Sequence, residues 1–309
     1  MTADLLVPRW ADWPLCQAAP TGTPGCIGAQ LDQDQPCFVH SHSDARAAEL
    51  GRLWGGSGWL GFLLGIEVTE ELLAEVFAAV PIRDGRTVLR FADFRGARFQ
   101  GTAGFDRAIF EGGAWFDRAT FQGDAGFSGA RFQRVAEAFR HRDVRFGRAS
   151  FHGKVRFDEA TFQGNSEFRA ATFHRDASFA GARFEGTTRF DRAVFQGDAG
   201  FRTASFHGGG GFARASFHGK AWFEQARFQG ATGFGEARFQ GTTRFDEASF
   251  QGDADFRTTS FQDKASFDGA SFYGRAWFDQ ATFQGDADFR TASFQDEARF
   301  DQVSGTIHR

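Results

Sequence analysis

The chain has 309 residues, and its composition is dominated by 42 phenylalanines and 39 glycines, against one methionine and one tyrosine. So many aromatic side chains have to be buried, which excludes a disordered chain and indicates a repeated structural unit. The formal net charge of −4 excludes the strongly basic surface that direct nucleic-acid binding requires.

Residues 1–91 lack the phenylalanine repeat that follows them, and they hold eleven acidic and six basic side chains. The first residues have neither the charged start nor the apolar run of a signal peptide. The longest apolar stretch of this segment, 58–66, is too short to span a bilayer. We therefore expect a cytoplasmic protein.

All three cysteines lie in this first segment, at Cys16, Cys26 and Cys37. An odd, clustered set favours free thiols or metal ligands over disulfides. Together with His40, the cysteines provide three thiolates and one imidazole, a ligand set that suits structural zinc. Buried cysteines without a metal are the alternative.

Two short helices are predicted before the repeat. Ser43 is a candidate N-cap for a helix over 44–54, and Thr69 is a candidate N-cap for a helix over 70–80 that ends before Pro81. The second helix has an apolar face formed by Leu72, Leu73, Val76 and Phe77. This face needs a partner surface to cover it.

From Phe94 to Phe300, phenylalanine recurs at alternating steps of five and six residues, which gives 37 phenylalanines in frame. A small residue, usually alanine, stands two positions before each of them. Residues two apart point to the same side of an extended strand, so the residue between them points outward. Each step is therefore predicted to be a short strand and a corner. Glycine after glutamine, as in Gln122-Gly123, is interpreted as a roomier corner that absorbs the sixth residue.

Successive coils are predicted to stack so that each phenylalanine lies over a phenylalanine of the next coil, about 4.8 Å away. Offset stacking of the rings is favourable at this distance. We expect Phe157, Phe179 and Phe201, for instance, to lie one above another. The spacing alone also permits a flatter, two-sided coil.

The frame Ala-x-Phe-x-x over residues 92–300 resembles the pentapeptide-repeat family. The resemblance implies an all-β solenoid, a right-handed quadrilateral β-helix with four faces in each coil. Two steps of five and two of six would then give coils of 22 residues and about nine coils, roughly 45 Å in length. The sixth residue in alternate steps departs from the family pattern, as does phenylalanine at the centre, where the family often has leucine. The opening segment is similar to that of actinobacterial members.

This interpretation divides the chain into a cysteine-containing and helical capping segment (1–91), the β-helix (92–300) and a polar C-terminal tail (301–309). A β-solenoid exposes strand edges at its ends, so we assign the second predicted helix as the cap at the start. The tail offers no cap. The last coil is therefore predicted to pair with that of a second chain in a two-fold dimer.

The phenylalanine frame is interrupted once. Phe132 and Phe146 are 14 residues apart where a step of six is due, so the eight residues 134–141 are an insertion. We expect them to project as a loop, and such loops often carry function. The candidate interaction residues of this loop are Arg134, Glu137, Phe139, Arg140 and His141. A tolerated insertion without a function is the alternative.

Outward positions in the repeat provide other candidates. Trp115 and Trp277 are predicted to share one side of the solenoid, and exposed tryptophans often anchor partners. His152, His174 and His218 each follow a phenylalanine on one face and are interpreted as a solvated column, since glutamine occupies the same position elsewhere. Neighbouring imidazoles that bind a metal or titrate together are the alternative. Aspartates in the Gln-Gly-Asp corners are interpreted as turn residues rather than calcium ligands.

The sequence contains no nucleophile–base pair and no cofactor motif, so we expect no enzyme and favour a non-catalytic protein-interaction or scaffold solenoid. The family resemblance implies one alternative, because some pentapeptide-repeat proteins mimic B-DNA, bind DNA gyrase and protect it from inhibitors. That mechanism needs a strongly acidic rod, whereas residues 92–309 hold 28 acidic and 29 basic side chains. Neither membrane binding nor direct nucleic-acid binding is expected.

Overall fold

The structure is a computed structural model that describes residues 63, 65–134 and 143–308. In these residues the chain winds into an all-β solenoid of parallel strands, preceded by one helix and one antiparallel hairpin. Each full coil has four short strands, and equivalent residues of successive coils are 22 positions apart, as Ser150 and Thr172 are. The predicted four-sided coil is thus confirmed, and the flatter two-sided coil is excluded.

We number the four faces in chain order from Ala92. Face 1 contains Ala92–Asp93, Ala114–Trp115, Val144–Arg145, Ser166–Glu167, Thr188–Arg189, Gly210–Gly211, Thr232–Gly233, Ala254–Asp255, Ala276–Trp277 and Ala298–Arg299. Face 2 contains Glu67–Val68, Arg98–Phe99, Thr120–Phe121, Ser150–Phe151, Thr172–Phe173, Val194–Phe195, Ser216–Phe217, Arg238–Phe239 and Ser260–Phe261. Face 3 contains Ala103–Gly104, Ala125–Gly126, Val155–Arg156, Ala177–Ser178, Ala199–Gly200, Ala221–Trp222, Thr243–Arg244 and Ala265–Ser266. Face 4 contains Arg86–Leu89, Ile109–Glu111, Arg131–Gln133, Thr161–Phe162, Arg183–Phe184, Ser205–Phe206, Arg227–Phe228, Ser249–Phe250, Ser271–Phe272 and Ser293–Phe294.

Two longer strands, Thr282–Asp288 and Ser304–His308, run around the corner between faces 2 and 3 and pair with each other in parallel. They join these two faces into one 19-stranded sheet. The last residues described therefore continue the ladder of strands, although they were predicted to form a polar tail. Phe294, Phe300 and Ile307 are half-buried at this end.

The insertion leaves the register of the coils unchanged. Arg131 pairs with Thr161, 30 positions later, where the coils that follow need 22. The difference is the eight inserted residues, so the interruption lies between the strands Arg131–Gln133 and Val144–Arg145 and is absorbed at one corner. Residues 135–142 lie outside the described part of the chain.

The core consists of four columns of phenylalanine rings. Phe157, Phe179 and Phe201 lie one above another, with ring centroids 5.0 and 4.9 Å apart and interplanar angles of 5° and 1°. Across the core, Phe168 meets Phe179 edge to face at 5.5 Å and 86°. Stacking along the axis and edge contacts across it are both favourable for the ring quadrupoles. The predicted phenylalanine core is confirmed.

The small residue that precedes each phenylalanine by two is buried against these rings, and most of these residues are alanine. Threonine replaces alanine at a few of these positions, where its hydroxyl needs a hydrogen-bond acceptor. The Thr232 hydroxyl donates to the Gly230 carbonyl oxygen at 3.2 Å. The hydroxyls of Ser166 and Thr188 are buried and have no hydrogen-bond partner among the described residues.

The five-residue corners, except the one that contains Thr291, place their second residue in the left-handed region of backbone space, which costs free energy for any residue with a Cβ. Glycine occupies this position at 96, 129, 181 and 269. Elsewhere φ lies between 55° and 60° at Arg107, Arg118, Arg148, Glu159, Ala170, Arg192, Thr203, Arg214, Gln225, Glu236, Glu247, Thr258, Gln280 and Gln302. Because nearly all of these residues are long and polar, the sequence contains no signal for this conformation.

The six-residue corners are crowded, so the prediction of a roomier corner is wrong. An added Cβ at Gly123 would lie 2.4 Å from the carbonyl carbon of Gly101, and one at Gly241 would lie 2.6 Å from the carbonyl oxygen of Gly219. Glycine is favoured there because the backbone of the preceding coil approaches closely. Arg175 and Asp263 occupy the same corner position, so the backbone adjusts where a side chain is present.

Helix α1, Glu70–Ala79, covers the N-terminal end of the solenoid. It begins as predicted at Thr69, whose hydroxyl oxygen accepts a hydrogen bond from the Leu72 N–H at 3.1 Å. Its apolar face is buried, and Phe77 meets the edge of the Phe105 ring at 5.5 Å. Ile82–Arg83 and Arg86–Leu89 then form an antiparallel hairpin that leads into face 4. The helix predicted over 44–54 lies outside the described residues.

Candidate interaction surfaces

The four faces differ in the charge of their outward side chains. On face 2 the outward residue of each strand is mostly serine or threonine, and the outward residue after each phenylalanine is glutamine or histidine. From Arg98 to Thr306 these two columns contain only two charged residues, Arg98 and Arg238. Face 2 is therefore a long, flat, polar and almost uncharged surface.

Face 1, in contrast, presents charged and aromatic residues. Its outward residues are Asp93, Trp115, Arg145, Glu167, Arg189, Gly211, Gly233, Asp255, Trp277 and Arg299. Trp115 and Trp277 thus share a face, as predicted, and both are half-buried. The third outward tryptophan, Trp222, lies on face 3.

An arginine covers each of these tryptophans. The guanidinium carbons of Arg95, Arg202 and Arg257 lie 4.7, 4.6 and 5.4 Å from the ring centroids of Trp115, Trp222 and Trp277. Each arginine stands 20 positions before its tryptophan, which is two residues fewer than the 22 of one coil. These cation–π pairs were not predicted, although the constant offset is visible in the sequence. A partner that contacts these tryptophan rings therefore has to displace or share an arginine.

Two glycines leave a notch in face 1. Gly211 and Gly233 stand in successive coils where the neighbouring coils carry Arg189 and Asp255. A Cβ at Gly233 would meet nothing within 4 Å, so sterics do not require glycine there. The notch has a volume of about 400 Å³, and a groove of about 720 Å³ continues from it along the adjoining corner. The glycine run 208–211 thus forms part of an open surface depression.

Several charged side chains on the corners form ion pairs with a neighbouring coil. Arg214 Nη2 lies 2.8 Å from Glu236 Oε1, and Arg275 Nη2 lies 2.9 Å from Asp253 Oδ2. The hydrogen bonds from these arginines lower the pKa values of Glu236 and Asp253. Burial acts the other way at Asp117, where desolvation raises the carboxyl pKa. Such exposed pairs contribute little to stability individually, and they offset the charge of these corners.

The balance of acidic and basic side chains varies along the axis of the solenoid. Residues 92–192 hold 13 acidic and 17 basic side chains, whereas residues 253–308 hold ten acidic and five basic ones. The acidic surface is therefore confined to the last coils and does not extend along the rod. Three carboxylates, those of Asp279, Glu297 and Asp301, surround the single guanidinium of Arg299 there.

His152, His174 and His218 lie on face 2, in one column, as predicted. The rings of His152 and His174 are stacked, with centroids 4.4 Å apart and an interplanar angle of 10°. His174 and His218 each contact the glutamine of the next coil, with Nδ1 3.0 Å from Gln196 Oε1 and 2.9 Å from Gln240 Oε1. The column is thus a ladder of hydrogen-bonded and stacked side chains.

The aspartates of the Gln-Gly-Asp corners tie neighbouring coils together. Oδ1 of Asp124 accepts a hydrogen bond from the Lys154 N–H at 2.8 Å, and Oδ1 of Asp198 accepts one from the Lys220 N–H at 2.8 Å. These carboxylates therefore have a structural role. No group of three or more histidine, cysteine, aspartate or glutamate residues suited to a metal is found in 63, 65–134 and 143–308.

Several candidate residues fall outside the part of the chain that the structure describes. They are Cys16, Cys26, Cys37 and His40 of the zinc prediction, and Glu137, Phe139, Arg140 and His141 of the insertion. Both predictions stay open. Arg134, at the start of the insertion, is exposed, and its N–H donates to Gln163 Oε1 at 3.1 Å.

The comparison with protein families agrees with this geometry. A family model described as pentapeptide repeats (9 copies) matches residues 85–134, 146–194, 190–238, 212–260 and 256–304, more than half of the chain. The chain belongs to the pentapeptide-repeat family. No curated protein and no solved structure matches it. As a pentapeptide-repeat protein it has a fold of a kind that often takes part in protein interactions.

Among the described residues, no helix of this pentapeptide-repeat protein is long and apolar enough to cross a membrane.

Proposed function

We propose that this chain is a non-catalytic protein-interaction or scaffold β-solenoid that presents face 2 to a protein partner in the cytoplasm. The observation that supports face 2 is its two columns of mostly uncharged polar side chains, interrupted by only two charges, Arg98 and Arg238. The centres of protein interfaces are depleted in charged residues, because charges are costly to desolvate. Members of the pentapeptide-repeat family are in general non-catalytic.

Charge substitutions on two faces test this proposal. A double variant, Thr172→Glu with Ser216→Glu, places two carboxylates on face 2, and the control, Ser205→Glu with Ser249→Glu, places them on face 4. All four positions are outward and half-buried, so both variants should fold. Affinity capture from the source cells, followed by mass spectrometry, should identify a protein that the wild type and the face 4 variant retain and the face 2 variant loses. A partner that binds all three equally would overturn the assignment of face 2.

The alternative is a DNA mimic that binds DNA gyrase and protects it from inhibitors. A mimic of B-DNA needs negative charge along its whole length, whereas the acidic excess here is confined to residues 253–308. We therefore expect no protection of gyrase in a supercoiling assay with an inhibitor present. Protection at stoichiometric concentrations would favour the mimic over the scaffold.

We also propose a homodimer formed through the last coil. The strands Ser293–Phe294, Ala298–Arg299 and Ser304–His308 have a described partner on one side only, and apolar residues are half-buried beside them. An open parallel edge next to apolar surface is suited to pairing with a second copy. Residues 286–308 hold five acidic and two basic side chains, so like charges oppose this contact.

Salt therefore provides a test of the dimer. Because salt screens exposed charges, raising the ionic strength should strengthen the contact between the two acidic ends. Light scattering at micromolar concentration should give a dimer mass, with a larger dimer fraction at high salt. A monomer mass at both salt concentrations would remove the dimer from the proposal.

The proposal also includes candidate contact residues outside face 2 and a candidate metal site in the opening segment. The insertion 134–141 and the outward tryptophans Trp115 and Trp277 are candidate contact sites for the partner. The cysteines with His40 are a candidate zinc site that would hold the opening segment together. Metal analysis of the purified protein should find one zinc per chain, and the Cys37→Ser variant should lose it.

A further inference from the structure

His152, His174 and Ser150 form a cluster within face 2 whose chemistry the proposed function does not require. The two imidazole rings are stacked at 4.4 Å. The Ser150 hydroxyl oxygen lies 3.2 Å from Nε2 of His152 and 3.2 Å from Nε2 of His174. Two imidazole nitrogens therefore converge on one point at the surface, since His152 is exposed and His174 is half-exposed.

The hydrogen bond from His174 to Gln196 defines which nitrogen of His174 is available. Gln196 Oε1 is an acceptor, so Nδ1 of His174, 3.0 Å away, carries the proton and donates it. Nε2 of His174 then has a free lone pair, which points toward Ser150. A second group that holds one ring nitrogen and leaves the other for a ligand is the usual arrangement around metal-binding histidines.

We propose that His152 and His174 bind one divalent transition-metal ion of the kind that prefers imidazole, such as Zn²⁺ or Ni²⁺, through their Nε2 atoms. Metal–nitrogen bonds are about 2.0–2.1 Å long, so a shared ion requires the two Nε2 atoms to lie about 4 Å apart or less. Each lone pair lies in its own ring plane and the two planes are only 10° apart, so both rings have to rotate out of the stacked arrangement to share an ion. Water completes the coordination, and the Ser150 hydroxyl turns away from the ion.

The residues around the cluster limit its affinity for a metal ion. In the part of the chain that the structure describes, no carboxylate belongs to the site: Asp176 at the adjoining corner lies 3.5 Å from Lys154 and offsets its charge, and Arg175 beside His174 is exposed. The site therefore has two neutral ligands, and we expect reversible binding that is weaker than that of a structural site with four ligands.

The same column contains a matched control. His218 also donates from Nδ1 to a glutamine, Gln240, but its neighbours in the column are Gln196 and Gln240, so no second imidazole is adjacent. Glutamine already occupies this position at 122, 196 and 240, so His→Gln variants should fold. His218→Gln removes one histidine from the column and leaves the proposed site intact.

The experiment is a calorimetric titration of the full chain, without a histidine tag, with NiCl₂. Wild type and His218→Gln should each bind one more Ni²⁺ per chain than His152→Gln and His174→Gln. The difference between variants isolates the site from any Ni²⁺ that the N-terminal cysteines bind. Equal stoichiometry in all four proteins would overturn the proposal.

A second measurement reports the ligands directly. In ¹⁵N NMR of the histidine side chains, Zn²⁺ should shift the Nε2 resonances of His152 and His174 and leave those of His218 unchanged. Shifts at all three histidines, or at none, would contradict a site made by this pair. Neither measurement depends on the proposed partner, so the metal site and the scaffold function stand or fall separately.

Discussion

Thr188 and Thr232 occupy the same buried position of face 1, two coils apart, and they differ only in whether the hydroxyl has a partner. The Thr232 hydroxyl bonds to the Gly230 carbonyl, whereas the Thr188 hydroxyl has no partner among the described residues. A buried polar group without a hydrogen bond costs free energy, and a paired one contributes. Small differences of this kind decide which side chains the core accepts.

The first prediction compares the isosteric variants Thr188→Val and Thr232→Val. Thr188→Val should raise the free energy of unfolding by about 1 kcal/mol, because it removes an unpaired buried hydroxyl. Thr232→Val should lower the free energy of unfolding by about 1 kcal/mol, because the substitution removes the hydrogen bond to the Gly230 carbonyl oxygen. Urea unfolding followed by circular dichroism measures both. Equal destabilisation by the two variants would contradict this interpretation of Thr188.

The second prediction concerns Asp288, which forms a two-point contact with Arg290: Oδ1 lies 3.0 Å from Nε and Oδ2 lies 2.7 Å from Nη2. These hydrogen bonds lower the pKa of Asp288 to about 2. The ionised carboxylate therefore stabilises the folded state fully above its unfolded pKa of about 4. That contribution is lost as the pH falls from about 4 to about 2.

Amide hydrogen exchange in Ser304–His308, which pairs with the strand containing Asp288, reports this loss. Relative to its intrinsic rate, exchange there should accelerate between pH 4 and pH 2 in the wild type. In Asp288→Asn it should already be fast at pH 5 and should change less over the same range. The same pH profile in both proteins would show that the Asp288–Arg290 contact does not hold this strand.

At the scale of the element, strand and corner follow different rules. Strands tolerate many outward residues, because these side chains point into solvent. Corners are restricted by the backbone of the adjacent coil, as at Gly241, where an added Cβ would lie 2.6 Å from the Gly219 carbonyl oxygen. Because five- and six-residue steps alternate, the backbone of the adjacent coil crowds every second corner.

The third prediction compares Gly241→Ala with Gly233→Ala. Gly241→Ala should lower the free energy of unfolding by about 1–3 kcal/mol, because the coils have to separate locally to admit the methyl group. Gly233→Ala should have an effect within about 0.5 kcal/mol, because a Cβ there meets nothing within 4 Å. Thermal or urea unfolding of both variants provides the comparison. A large cost at both positions would point to backbone entropy rather than crowding.

At the scale of the whole molecule, each coil contacts only its neighbours, so stability accumulates along the axis. This organisation explains why the insertion 134–141 leaves the stacking of the coils on both sides unchanged: Phe132 lies 4.6 Å from Phe162 across it, as close as stacked rings elsewhere. A corner can be lengthened without moving the strands that it connects.

The fourth prediction follows from this. Deletion of residues 134–141 joins Gln133 to Arg142 and restores a six-residue step from Phe132 to Phe146. The resulting corner matches the existing corner Gln295-Asp296-Glu297, which also lacks glycine and also connects face 4 to face 1. The deletion variant should keep its thermal midpoint and its β-sheet circular dichroism. A clear drop in the midpoint would assign the insertion a structural role.

The repeat was predictable because the burial of phenylalanine depends on spacing along the chain alone. A small residue and a phenylalanine two positions apart define an inward-facing strand, and the alternating steps of five and six residues define where each strand ends and the next corner begins. The N-terminal helix was predictable for the same kind of reason, because its cap at Thr69 and its apolar face are local patterns. The four sides of the coil came from the family resemblance and not from the spacing.

The amino-acid sequence by itself determined the strands and the phenylalanine core, because these depend on residues at most six positions apart. The tertiary structure alone decided the left-handed conformation at Ala170, the crowding at Gly241, the arginine over each tryptophan and the convergence of His152 and His174 on Ser150. Each of these features depends on groups about one coil apart in the chain, or on how closely two coils approach. That approach is set by the stacking of the rings, which no local pattern of residues specifies.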